Sequence, residues 1–179
     1  GKPTHLEVRN NLANALSDVG QLAEAMEHYE YVLARKPEHV NALNGSAVVL
    51  AMQNKPAEAK ARLEQSLRIA PDNASAHNNL GNVCSMMGQR DEALVHYRRA
   101  IELNPKDAHT PFVVGVILSE QGKFSEAVGL FQRSLALRPN HPDALAHLGL
   151  AFVQSGRRDD GIRALQAALR QKPDHLQAA

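Results

Sequence analysis

Residues 76–105 read AHNNLGNVCSMMGQRDEALVHYRRAIELNP, and this stretch holds one complete copy of the building unit. Its apolar residues recur at intervals of three and four. Leu80 and Cys84 mark one face of the first half, and Ala93, Tyr97, Ala100 and Ile101 mark one face of the second. Gly88 separates the halves, where glycine supplies the left-handed backbone that ends a helix. Pro105 stops the second half, because proline cannot continue a helix. The stretch therefore predicts a pair of helices joined by a tight turn.

Working outward, the closing proline repeats at Pro37, Pro71, Pro105, Pro139 and Pro173, each 34 residues from the last. A long fixed period marks an array of one small unit. Units fall at 6–39, 40–73, 74–107, 108–141 and 142–175, and residues 176–179 read as the start of a further or capping helix. Other columns keep the register. Position 8 is Ala13, Ala47, Gly81, Gly115 and Gly149; position 24 is Tyr29, Leu63, Tyr97, Phe131 and Leu165. Position 15 is Gly20, Asn54, Gly88, Gly122 and Gly156, all suited to a left-handed helix end. Small residues at 8, 20 and 27 let helices approach, and bulky ones at 24 and 28 fill the gaps. The expected fold is all-α, a right-handed α-solenoid of five helix–turn–helix units in one array.

Composition narrows the function. Charged residues make 22% of the chain, tryptophan is absent and the formal net charge is +1. Only seven aromatic side chains exist, so the basic, aromatic-bearing stripe of a nucleic-acid binder is missing and no nucleic-acid partner is expected. No stretch approaches the ~20 apolar residues needed to span a bilayer, so no membrane insertion is expected. Cys84 has no second cysteine to pair with and sits in a core column, which predicts an inert buried thiol. Compartment stays open, with a slight lean to the cytoplasm. No zinc-protease pair, Cys-x-x-Cys, phosphate loop or nucleophile elbow occurs, so no catalytic residue, metal or cofactor is expected. His39, His141 and His175 share one repeat position and read as inter-repeat turn residues.

The 34-residue period, with Gly or Ala at position 8, Ala at 20, an aromatic at 24 and Pro at 32, resembles the tetratricopeptide repeat over nearly the whole chain. The resemblance implies a binding scaffold whose concave groove is lined by the first helix of each unit, through positions 2, 5, 6, 9, 12 and 13. The asparagines Asn10, Asn14, Asn44, Asn78, Asn79 and Asn82 fall on these positions in the first three units. Each amide offers donors and an acceptor to a peptide backbone. Asparagine ladders of this kind occur in the repeat arrays of protein O-glycosyltransferases; here the ladder stops after the third unit. In the last two units Phe112, Val116, His147 and Leu150 replace it with an apolar patch able to accept a helix. None of the thirty groove positions is lysine or arginine. Family members that grip the acidic tails of heat-shock chaperones use those cations, so such a tail is a poor candidate.

The resulting expectation is a non-catalytic scaffold that binds an extended peptide or helix of a partner protein. Two alternatives stay open: the substrate-docking arm of a larger enzyme such as a protein glycosyltransferase, and a self-assembling array joined through an uncapped last repeat. Two local features carry expectations of their own. Pro111 should be the first residue of its helix, with Thr110 as N-cap and His109 left in the loop. Gly161, standing where the other units have alanine, should weaken the fifth unit by ~0.5–1 kcal/mol.

Overall fold

The computed structural model describes residues 4–171 of the chain. Among them are ten α-helices and no strand. The first helices of the five repeats are α1 (His5–Asp18), α3 (Val40–Met52), α5 (Ala74–Met86), α7 (His109–Glu120) and α9 (Pro142–Gln154). The second helices are α2 (Leu22–Arg35), α4 (Pro56–Ile69), α6 (Arg90–Leu103), α8 (Phe124–Leu137) and α10 (Arg158–Gln171). The all-α repeat class and its register follow the sequence. The expected capping segment at 176–179, with Pro173 and His175, lies outside the described residues.

Helix ends follow from single positions. All five position-15 residues hold positive φ, from +60° at Asn54 to +85° at Gly156, so each turn is made by the residue that tolerates it. Position 34 does the opposite job. His39, Asn73 and His141 accept through their side chains from the N–H of Ala42, Ala76 and Ala144, capping α3, α5 and α9. His39 and His141, read as turn residues, are thus N-caps.

Asp107 occupies the same repeat position and changes the expectation at Pro111. The helix α7 begins at His109, so Pro111 is its third residue and His109 is helical. Asp107 makes this possible by accepting from the N–H of His109 (2.8 Å) and of Thr110 (3.2 Å) and from the Thr110 hydroxyl. Pro111 has no N–H to satisfy, and in the first turn none of its neighbours needs that bond. One carboxylate and one proline together close the helix start. Burial works to raise the Asp107 carboxyl, but the bonds from Thr110 and His109 outweigh it and hold it below its ordinary value.

The helices gather into two compact units, residues 1–103 with three repeats and 104–179 with two. In each the core is built from the position-24 side chain pressed against a small residue. Tyr29, Leu63, Tyr97 and Phe131 are fully or almost fully buried. A Cβ at Gly81 would meet the Tyr97 ring at 2.7 Å, and one at Gly115 would meet Phe131 at 2.6 Å. Those glycines are required by close approach of helix to ring. Truncating any of the four rings or branches to alanine would destabilise its unit by ~2–5 kcal/mol.

Gly161 shows the same logic. Its Cβ would stand 2.5 Å from Val153 Cγ2 and 2.9 Å from the Gly149 carbonyl oxygen. The Gly149 oxygen is backbone and cannot turn aside as a side chain might, so α9 and α10 pack more closely than an alanine allows. Gly161 is therefore a packing requirement in the fifth unit.

Candidate functional site

The first-helix face holds the predicted groove residues, and the structure sorts them into three kinds. Asn10 and Asn44 are buried, and each Oδ1 is enclosed with no hydrogen-bond partner. A peptide on the surface cannot reach atoms so enclosed. Asn14 and Asn82 are exposed but already engaged: each Oδ1 accepts from a buried tyrosine hydroxyl of its own repeat, Tyr29 at 2.6 Å and Tyr97 at 2.7 Å. Asn78 and Asn79 are half-buried.

The tyrosine bonds expose a rule in the sequence. Position 9 is asparagine only where position 24 is tyrosine (Asn14 with Tyr29, Asn82 with Tyr97). Where position 24 is Leu63, Phe131 or Leu165, position 9 is Val48, Val116 or Leu150. A buried hydroxyl needs an acceptor, and an aliphatic or phenyl group does not. Two members of the asparagine ladder thus satisfy the core. Burial, with Asp18 near the first and Cys84 near the second, raises the phenols of Tyr29 and Tyr97 to about 12. Cys84 is itself fully buried, and burial followed by Glu92 pushes its thiol up, which suits the inert thiol expected.

Within the first compact unit the groove face opens into a cleft of about 320 Å³ between α3 and α5. Its walls are Ala47, Val48, Ala51 and Met52 from α3 and Val83 and Met86 from α5, with Leu63 at its floor and Asn79 and Asn82 on the α5 side. Met52 is 56% exposed and Met86 53%. Both methionines fall on position 13, so the register placed them on the groove, yet nothing in residue type alone raised them above their neighbours. Their significance comes from standing across one cleft. Methionine is unbranched and polarizable, and it adapts to varied partners.

The second unit places its predicted residues differently. Phe112 packs against Phe131, His141 and His147, with ring centres 5.0–6.0 Å apart. His147 also stacks on Phe131 at 5.7 Å, and burial lowers its imidazole below the ordinary value. Phe112 and His147 are half-buried. Val116 is half-buried as well, while Leu150 on α9 is 53% exposed with Val153 beside it at 37%.

Charges pair between repeats: Glu30 with Arg62 at 2.5 Å and Lys60 with Glu92 at 2.8 Å join second helices, and Asp72 in the turn after α4 meets Arg99 of α6 at 2.6 Å. Such pairs at the surface are screened by water and salt and add little to stability. Among the described residues no group of three or more His, Cys, Asp and Glu side chains is placed to hold a metal ion. No described helix is long and apolar enough to cross a membrane.

These features define a helical-repeat protein that presents a side-chain-lined groove face. The tetratricopeptide-repeat pattern matches residues 74–107, and a second pattern of the same description matches residues 16–80 and 118–179. The chain belongs to the tetratricopeptide-repeat family. Among solved structures it is similar to YrrB, described as a TPR protein with an unusual peptide-binding site, at 30% identity and a TM-score of 0.77 over 94% of this chain and 87% of that one. It is also similar in fold to MamA, at 21% identity and a TM-score of 0.80 over 97% and 94% of the two chains. A MamA double mutant reaches a TM-score of 0.83 at 15% identity, over 99% of both. No curated protein matches the chain. Fold and family together make it a protein-interaction scaffold.

Proposed function

We propose that the scaffold binds a segment of a partner protein across the α3–α5 face, with apolar side chains of that segment seated in the methionine-walled cleft. The observation that carries this reading is the cleft itself, an exposed apolar recess flanked by the half-buried amide of Asn79. Burying both methionine side chains and Val48 would contribute several kcal/mol at ~25 cal/mol per Å² of apolar surface. The Asn79 amide, which has donors and an acceptor, supplies a backbone contact that sets the segment's direction without reading its sequence. YrrB, as a relative with a peptide-binding site, supports the same class of ligand.

The chain has four methionines, Met26, Met52, Met86 and Met87, so their methyl groups give four NMR signals. Peptides selected from a displayed library should shift the Met52 and Met86 signals and leave Met26, which packs against the core of the first repeat, in place. Binding should be lost on Met52→Glu with Met86→Glu. Selected peptides that move neither methyl, or that bind the double variant undiminished, would remove the cleft from the function.

A further inference from the structure

A second feature lies off the groove face, on the first repeat. Tyr31 of α2 carries the Arg9 guanidinium 3.7 Å from its ring centre and the Arg35 guanidinium 3.5 Å from it. Two groups at that height cannot both stand over the middle of one face. The ring is therefore sandwiched, with one guanidinium on each side. Their separation is at most the sum of those two distances. Arg35 sits one turn after Tyr31 on α2 and donates to the Tyr31 carbonyl at 3.3 Å. Arg9 reaches across from α1 and lies 3.2 Å from His28 Nδ1, and the His5 ring stands 6.0 Å from Tyr31.

The charge of this cluster is uncompensated. Among the described residues no ion pair joins Arg9 or Arg35 to a carboxylate, although Arg62, Lys60 and Arg99 each have at least one. Glu30, on the same helix, is taken by Arg62. The Arg9 Nε–H is enclosed, so a ligand can meet this side chain only through its terminal N–H groups. A tyrosine ring attracts each cation through its quadrupole, and so holds together two like charges that would otherwise separate. The edge of the sandwich then offers N–H donors from both guanidinia with the phenol hydroxyl between them.

We propose that Arg9, Tyr31 and Arg35 form a clamp for a phosphate group, either the free ion or the phosphate of a phosphorylated partner segment. A phosphate carries about −1.5 to −2 charges and three strong acceptor oxygens, which matches two fixed guanidinium charges where a single carboxylate does not. Glu24, Glu27 and Glu30 share the helix and the first repeat is acidic as a whole, so its long-range field opposes an anion. Binding rests on direct hydrogen bonds and keeps most of its strength at physiological salt.

Inorganic phosphate titrated against the intact chain, at constant ionic strength, tests the clamp by NMR of the arginine Nε–H signals. Saturating shifts at Arg9 and Arg35 are expected, with binding at least about tenfold weaker in Arg35→Gln. Arg35 is exposed in the last turn of its helix, so this variant keeps the fold even if Arg9→Gln does not. A short phosphoserine peptide bound more tightly than the free ion assigns the clamp to a partner; equal affinity assigns it to the ion. A linear, non-saturating response, unchanged binding in Arg35→Gln, or acetate binding as tightly as phosphate would overturn the proposal.

Discussion

Replacing Asn82 with valine should strand the Tyr97 hydroxyl in a site where the tyrosine is only 2% exposed. An unsatisfied buried hydroxyl is destabilising by ~1–3 kcal/mol, whereas valine and asparagine differ little in helix propensity. The reverse change, Tyr97→Phe, removes the donor and leaves Asn82, already exposed, to bond with water. That should lower stability by only ~0.5–1.5 kcal/mol. Making both changes rebuilds in the third repeat the Val116–Phe131 pairing of the fourth. The double variant should then lie within ~1 kcal/mol of the parent, although the two single effects sum to ~3 kcal/mol. The coupling energy is their difference, about 2 kcal/mol, within the range for residues in direct contact. Urea unfolding followed by far-UV circular dichroism on the four chains measures it. If the single effects simply add, the hydroxyl–amide bond does not hold the third repeat together, and the pairing rule between positions 9 and 24 has no energetic basis.

Gly161→Ala should destabilise by ~1 kcal/mol, because overpacking against Gly149 and Val153 outweighs the ~1 kcal/mol that alanine gains by propensity. Gly129→Ala on α8 is its control: nothing stands within 4 Å of that Cβ, so it should stabilise by ~0.5–1 kcal/mol, and thermal melts of the two variants should move in opposite directions. Asp107→Ala removes the bonds that start α7 and should lower stability by ~0.5–2 kcal/mol at neutral pH. The Asp107 carboxyl is depressed in the folded chain, so its contribution is present above the ordinary aspartate value near 4 and is lost as pH falls through the lower folded value. The parent and the variant should therefore converge in stability in acid, and a gap that persists there would refute the capping role.

Helix placement was legible because it depends on local chemistry. Left-handed turn residues, closing prolines and a 34-residue period repeat the same message five times. The helix start at His109 was not legible, because two local rules competed there. Proline favours the first helical position, but Asp107 offered a stronger cap two residues before His109. The site was legible only as a set of positions. Asn10, Asn44, Asn79 and Asn82 all match the groove register, yet burial encloses the first two and Tyr97 occupies the last.

The amino-acid sequence by itself determined the repeat, its register and the family, since each is a matter of spacing along the chain. Tertiary structure alone decided which groove-register residues are buried, which are engaged by the core and which are exposed. Whether an asparagine faces a partner or a tyrosine depends on what the neighbouring helix brings within 3 Å, as Tyr97 does for Asn82. In the same way Met52 and Met86 became one cleft because α3 and α5 stand side by side, and Arg9 met Arg35 because α1 lies against α2 with Tyr31 between them.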